Sequence, residues 1–201
     1  MTETTTLFFD VGGVILSNAW DSAERAHAAA RFALDAGFES RHAPLAHALE
    51  YGRLTLDQYL GQAVFDRPRD FSPADFRAFI ESCSVAKPDS LALLARLAAN
   101  PGLRLATLNN EGLDLNAYRI AKFGLRRYFS AFCASCYLDA RKPEPAIYQR
   151  ALGILHADPA QCVFIDDREE NLVPAQALGM RTIHFRSAAQ LAADLTTLGL
   201  L

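Results

Sequence analysis

The 201-residue chain has no apolar run long enough to cross a bilayer and no block of lysine or arginine. The first absence excludes a membrane-spanning helix, which needs roughly 20 consecutive apolar residues. The second excludes the basic stripe by which nucleic-acid binders hold phosphates; the net charge is −3 and both signs are mixed along the chain. The opening stretch MTETTTLFF has neither a basic start nor a secretory apolar core, so a soluble, cytoplasmic protein is expected. Cysteine is sparse: Cys83, Cys133, Cys136 and Cys162. Cys133-Ala-Ser-Cys136 has the CxxC spacing of a redox or zinc site. It lacks a second CxxC or a nearby histidine pair, and no helix is predicted to open there after a strand. Burial as small apolar side chains is the expectation. His27, His42, His47, His156 and His184 are scattered, none at a predicted strand end, and none is assigned catalysis. Internal repeats and low-complexity tracts are absent.

What is present is a sizeable core: 51% of the residues are hydrophobic. The length suits one domain, or a core with a modest insertion. Residues 7–9 are an apolar run too short for a helix, bounded by Thr6 before it and Gly12-Gly13 beyond. They read as a fully buried strand. Similar runs recur at Leu103–Leu108, Cys162–Ile165 and Thr182–Phe185. Helices are predicted between and beyond them, at Pro88–Asn100, Leu115–Phe123, Pro145–Leu155 and Glu169–Leu178, the last closed by Gly179. Strands alternating with helices imply right-handed crossovers and a doubly wound, mostly parallel α/β sheet.

Residues 17–87 break that rhythm. Four helical stretches are predicted there and no strand. Ser17 or Asn18 is expected to cap the first, which runs toward Gly37. The second spans about Pro44 to Glu50 and stops at Gly52. Thr55-Leu-Asp-Gln58 is a capping box whose helix reaches Phe65. Ser72-Pro73 opens the fourth, with Phe76, Phe79, Ile80 and Cys83 on one face. The expected organisation is an α/β core of residues 1–16 and 88–201 and an inserted four-helix module of residues 17–87.

Three of the predicted strands end in polar groups: Asp10, then Asn109-Asn110-Glu111, then Asp166-Asp167. In an open parallel sheet, ligands bind outside the carboxyl ends of the strands. Asp10, Asp166 and Asp167 would therefore meet in one crevice. Like charges that close repel unless something neutralises them. A hard cation such as Mg²⁺ does so with oxygen ligands alone. Lys142, in ARKPEP, is the obvious fixed positive charge. Each signal alone has a plainer explanation. A lone Asp after a strand is usually a turn former or a helix cap, and a lone lysine usually sits at the surface. Their joint placement at one sheet edge outweighs those explanations.

At these residues the chain resembles the haloacid dehalogenase-like (HAD) hydrolase superfamily. Phe8-Phe9-Asp10-Val11-Gly12-Gly13-Val14 is similar to its nucleophile loop and Leu108-Asn109-Asn110 to its second motif. Arg141-Lys142-Pro143 is similar to its lysine motif. Phe164 to Asn171, with Ala177-Leu178-Gly179 behind, is similar to its acidic motif. The resemblance implies a Rossmann-like core with a small helical cap, formed here by residues 17–87. It implies Asp10 as a nucleophile that forms an aspartyl-phosphate later hydrolysed by water. Mg²⁺ would bridge Asp10, the Gly12 carbonyl and Asp166, with Asp167 as a further ligand or the holder of a metal-bound water. Lys142 would offset charge on Asp10 and the phosphoryl oxygens. Asn109 would donate to the phosphoryl group, and Gly12, Gly13, Asn110 and Glu111 would border the substrate. The partner so implied is a small phosphorylated metabolite, with no nucleic acid and no membrane; oligomeric state is not legible.

Two positions depart from the family pattern. Phosphatases of the family typically carry a second aspartate two residues after the nucleophile, which protonates the leaving oxygen. Here that residue is Gly12. Asn109 replaces the usual Ser or Thr of the second motif, although an amide still donates a hydrogen bond. General acid catalysis contributes about 10²–10⁴-fold, so a slow or selective enzyme is expected. Glu111, expected to be solvated, is a surrogate acid only if it swings inward. Competing expectations are a dehalogenase, whose halide leaves without a proton and which needs no metal, and a degenerate member that binds a ligand or partner. Trp20, Asp21, Arg25 and the stretch Glu50-Tyr51-Gly52-Arg53 are candidates for the crevice wall, Trp20 alone being expected in the core or at the surface. Hinges are expected near Leu16–Asn18 and Ala86–Pro88.

Overall fold

The computed structural model describes residues 5–201. The reading of MTETTTLFF, and the start of the core segment at residue 1, fall partly on residues 1–4, which lie outside the described residues. The chain runs β1 (Thr5–Phe9), α1 (Ser22–Arg31), α2 (Phe38–Glu50), α3 (Leu56–Ala63), α4 (Pro73–Ser82), α5 (Pro88–Ala98) and β2 (Leu103–Asn109). There follow α6 (Leu113–Lys122), β3 (Ala131–Ala134), α7 (Ser135–Leu138), α8 (Pro145–Leu155), β4 (Cys162–Asp166), α9 (Glu169–Ala177), β5 (Arg181–His184) and α10 (Ala188–Thr197).

All strand pairs are parallel, in the order β3-β2-β1-β4-β5. The first strand is therefore central, with β2 on one side and β4 on the other. Its side chains alternate between two buried layers, as the period of a strand requires. Leu7 and Phe9 pack with Leu93, Leu94 and Leu97 of α5 and with Leu191 and Leu195 of α10. Phe8 packs on the opposite face with Ile147 and Tyr148 of α8 and Leu172 of α9. Each such side chain contributes about 1.5–3 kcal/mol on full burial. That two-sided burial is why the run is continuously apolar, and it fixes the register that carries Asp10 to the end of the central strand.

Helices α1–α4 build a third apolar cluster around Phe38, Leu56, Tyr59, Leu60, Phe76, Phe79 and Ile80, joined by Leu115 of α6. Two crossing segments tie this module to the sheet. Leu16 bridges Ala86, and Ser17 N–H donates to the Val85 carbonyl at 2.8 Å. Ser17 Oγ donates to the Cys83 carbonyl at 2.6 Å and accepts from Val85 N–H at 2.8 Å.

Several elements depart from expectation, each for a local reason. α1 is capped by Asp21, not Ser17 or Asn18, because Asp21 and Glu24 form a reciprocal capping box. The helix ends at Arg31 rather than near Gly37. α2 begins at Phe38, so Pro44 lies inside it rather than at its start. β3 was not foreseen: four residues, AFCA, with no β-branched side chain, give little strand signal. It places Cys133-Ala-Ser-Cys136 across a strand-to-helix junction, contrary to expectation. The cysteines nonetheless behave as packing residues. Both are free, and burial pushes the Cys133 thiol up to about 11 and the Cys136 thiol, beside Glu111, to about 12. Among the described residues, no helix is long and apolar enough to cross a membrane.

Candidate active site

The parallel register delivers polar groups to one edge of the sheet. Asp10 follows β1, its N–H donating to the Ile165 carbonyl at 2.9 Å. Asp166 ends β4 beside it and is fully buried. Asp10, Asp166 and Asp167 each offer an oxygen within 4.8 Å of the others. Lys142, 3% exposed, closes the group: its Nζ lies 2.6 Å from Asp166 Oδ2 and 3.1 Å from Asp10 Oδ1.

Each member is held by its surroundings. Asp10 Oδ1 accepts from the Val11 N–H at 2.7 Å as well as from Lys142, whereas Oδ2 takes no hydrogen bond from the described residues. Asp166 accepts from the Arg168 N–H at 2.8 Å and from Asn171 Nδ2 at 3.1 Å on both oxygens. The backbone of Lys142 is clamped by Asn110, whose Oδ1 accepts from the Lys142 N–H at 2.8 Å while Nδ2 donates to its carbonyl at 2.9 Å. Asp167 Oδ1 is buried without a partner among the described residues. Asp167 Oδ2 lies 1.9 Å from where a Cβ on Gly13 would stand, and Gly13 has φ +72°. Only glycine lets the backbone approach that carboxylate. We predict that Gly13→Ala costs at least about 2 kcal/mol of stability in urea unfolding, since left-handed strain alone reaches 1–2 kcal/mol. Gly12→Ala meets only Asn18 Oδ1, at 2.9 Å, and is expected to cost about 1 kcal/mol.

The electrostatics are unbalanced. Three carboxylates face one ammonium. Burial pushes the Asp10 carboxyl from 3.8 up to about 7; Lys142 opposes this, while Asp166 and Asp167 add to it. Burial, then Asp166, raises Asp167 as well. Burial works against the Lys142 ammonium, yet Asp10 and Asp166 outweigh it and raise its pKa. A divalent cation would supply the missing charge. The donor set fits one, being all oxygen, with a buried Asp167 Oδ1 that has no partner among the described residues.

A cavity of about 190 Å³ lies beside Asp10 and Lys142, lined by Gly12, Asn110 and Glu111 on the sheet side and by Trp20, His42 and Leu49 on the helical side. Glu111 is not solvated as expected. It is 8% exposed and paired with Arg119, which also donates Nη2 to the Ser17 carbonyl at 2.5 Å. Asn109 is 1% exposed, does not line the cavity, and donates to Asn116 Oδ1 at 3.4 Å. Asp21 and Arg25 line the wall, and so does Trp20, which also packs against Phe38 and Phe76. The stretch Glu50 to Arg53 lies against the core: Glu50 pairs with Arg141 at 2.8 Å, Tyr51 donates to Glu144, and Arg53 pairs with Asp139 at 2.7 Å.

Sequence reasoning missed Asn171, Arg119, Asn116 and His42. Asn171 had a readable signal, five residues beyond Asp166 and within the first turn of α9. Arg119 had a fainter one: it follows Leu115 by four positions and so shares the buried face of α6.

Comparison with known proteins follows the same outline. A family model described as a haloacid dehalogenase-like hydrolase matches residues 4–179. The chain is 40% identical over 79 residues to flavin mononucleotide hydrolase 1 of Arabidopsis thaliana, covering 39% of this chain and 32% of that protein. It is 29% identical over 202 residues to bifunctional epoxide hydrolase 2 of Mus musculus, covering 90% and 36%. It is 31% identical over 100 residues to phosphoglycolate phosphatase of Yersinia pseudotuberculosis, covering 50% and 43%. The chain thus spans well under half the length of these curated relatives. Among solved structures, a HAD family enzyme of Bacteroides thetaiotaomicron, in complex with magnesium and inorganic phosphate, superposes with TM-score 0.76 at 22% identity, covering 91% of this chain and 94% of that one. L-2-haloacid dehalogenase of Xanthobacter autotrophicus superposes with TM-score 0.62 at 18% identity, covering 98% and 84%. At such identities the likeness is one of fold.

Proposed function

We propose, since this chain belongs to the haloacid dehalogenase-like hydrolases, that it is a Mg²⁺-dependent phosphohydrolase of a small phosphorylated metabolite. Asp10 is its nucleophile. One observation carries this reading: Lys142 bridges Asp10 and Asp166 while the three clustered carboxylates still lack a balancing charge. Asp10, Asp166, Asp167 and the Gly12 carbonyl would hold the metal. Bound there, Mg²⁺ supplies the positive charge that lets Asp10 and a phosphoryl group lie ionised side by side.

The chain's own groups then account for the rest. Lys142 and the Val11 N–H fix Asp10 Oδ1, leaving Oδ2 to attack phosphorus in line. An Oδ2–P bond forms as the bond from phosphorus to the leaving oxygen breaks. That oxygen departs unprotonated, because Gly12 has no proton to give, and takes one from solvent once the leaving group is released. Water then attacks the aspartyl-phosphate, releasing inorganic phosphate and restoring the carboxylate. Phosphoryl transfer asks chiefly for such positioning and charge stabilisation. Residues 17–87 act as the cap over the core of residues 1–16 and 88–201, turning at Leu16–Asn18 and Ala86–Pro88. Closure excludes water from the first step.

The test is phosphate release from a panel of phosphorylated metabolites, with Mg²⁺ and with chelator, beside an Asp10→Ala control. Halide release from 2-haloacids in chelator, without phosphate release in Mg²⁺, would replace the proposal with a dehalogenase. A second prediction concerns pH. Protons compete with the metal for Asp10, whose carboxyl is held near 7. Saturating Mg²⁺ should therefore raise the melting temperature more at pH 8 than at pH 6. At 100 times the dissociation constant the stabilisation is about 2.7 kcal/mol, which at 2–4 °C per kcal/mol for a chain of this size is roughly 5–11 °C. Equal shifts at both pH values would place the metal elsewhere.

A further inference from the structure

The cavity has four arginines on its wall, and each already has an acidic partner. Arg25 is held by Glu39 at 3.0 Å, Arg141 by Glu50 at 2.8 Å, Arg168 by Asp21 at 2.6 Å, and Arg119 by Glu111. Lys142 is committed to Asp10 and Asp166. Asp114, the remaining wall carboxylate, accepts from the Leu56 N–H at 2.9 Å and faces Arg77 at 3.4 Å. Among the described residues, every charged group of the wall beyond the Asp10 carboxylate already has an ionic partner, although the buried Arg119 Nε–H lacks an acceptor. A carboxylate or ammonium brought in there would lose water without gaining a counter-charge.

Two neutral side chains stand out as uncommitted. Asn18 Oδ1 stands 2.9 Å from where a Cβ on Gly12 would begin, and the amide takes no hydrogen bond. His42, on α2, is the other, and its proton can be placed. An indole N–H only donates, so Trp20 Nε1 donates to the Tyr59 hydroxyl at 3.1 Å. His42 Nδ1 lies 2.8 Å from the same hydroxyl. Tyr59 is fully buried and has no other partner among the described residues, so its proton is satisfied by donation to His42 Nδ1. Burial, with the Arg25 charge, keeps the ring neutral. The imidazole proton therefore sits on Nε2, which has no partner among the described residues, and His42 lines the cavity although only 7% exposed.

We propose that His42 is the specificity-determining residue of this site, donating its Nε2–H to a hydroxyl oxygen on a small, uncharged leaving group. The proposal rests on the phosphohydrolase reading and names its substrate class: phosphate monoesters of short hydroxylated compounds. Size supports it. The cavity holds about 190 Å³, below the roughly 300–1,000 Å³ of sites for drug-sized ligands.

The test compares kcat/KM, in Mg²⁺, for glycerol phosphate, for propyl phosphate (its analogue without hydroxyls) and for phosphoglycolate, whose leaving group is charged. The wild-type protein should favour glycerol phosphate over each by a hundredfold or more, as sites built to bind a hydroxyl do. His42→Ala should reduce the glycerol-to-propyl ratio about tenfold, chiefly through KM, the effect of one hydrogen bond. His42→Gln places an amide N–H near the same point and should keep the ratio within threefold. Should His42→Ala fail to fold, Tyr59→Phe frees the ring from its tautomer and should lower the same ratio. A wild-type preference for phosphoglycolate, parity between glycerol and propyl phosphates, or an unchanged ratio in the variants would each overturn the role of His42. Acetyl phosphate separates this from the parent reading: if it too releases no phosphate, the phosphohydrolase assignment itself falls.

Discussion

Asp10→Asn should lose phosphate release by about four orders of magnitude or more and, in metal-free buffer at pH 8, melt at a higher temperature than the wild-type protein. The loss follows from removing a nucleophile whose partners act as one unit. The gain follows from the charge balance. Asp10 is buried beside two other carboxylates, and its carboxyl is pushed up to about 7 from 3.8. A carboxyl raised on folding binds its proton more tightly in the native state. Its contribution is favourable at low pH and is lost as pH rises from about 4 through 7. Each pKa unit corresponds to about 1.36 kcal/mol, so the ionised Asp10 costs on the order of a few kcal/mol without metal. Asparagine accepts the Val11 and Lys142 hydrogen bonds without that charge. Thermal melts of both proteins from pH 5 to pH 8 read the effect directly. A variant that melts lower at pH 8, or that remains active, would contradict the account. Activity and stability opposed at one residue mark a site kept for function.

Gly12→Asp should accelerate hydrolysis of alkyl phosphates by up to about 10²-fold and leave acetyl phosphate within threefold. General acid catalysis contributes 10²–10⁴-fold where the leaving oxygen is a poor one, and an acyl phosphate needs little protonation. The backbone tolerates the change. Gly12 lies outside the left-handed region, and a Cβ there comes within 2.9 Å of the tip of Asn18 and an ordinary 3.5 Å of its Cα. Asn18 must turn aside, so the new activity should come with weaker discrimination among leaving groups. Gly13, one residue on, has no such freedom, since its missing Cβ is replaced by the Asp167 carboxylate. Initial rates for propyl and acetyl phosphates with both proteins suffice. Equal gains on both substrates would mean that residue 12 does not face the leaving group.

The alternation of Leu7 and Phe9 against Phe8 around a central strand was legible because a strand buried on both faces has little choice of residue type. The placement of Asp10 beside Asp166 follows from one rule about parallel sheets, and Lys142, from the ARKPEP stretch, pairs with both there. Where the sequence misled, a tertiary partner decided the outcome. Glu111 reads as a solvated residue after a strand, but Arg119, eight positions later on α6, draws it into the interior. Asn110 lines the cavity, and both ends of its amide are taken by the Lys142 backbone, a pairing that the sequence does not show. β3 is four residues long and takes its strand geometry from pairing with β2 rather than from its own composition. His42 looked unremarkable because its neighbours Trp20 and Tyr59 come from other segments. Local propensity reads elements and misses contacts of high sequence separation.

The most direct measurement is anomalous diffraction from crystals grown with Mn²⁺ in place of Mg²⁺. The account predicts one strong peak among the carboxylates of Asp10, Asp166 and Asp167, with Lys142 still paired to Asp10. A peak elsewhere, or none at millimolar Mn²⁺ with the three carboxylates unmoved, would contradict it.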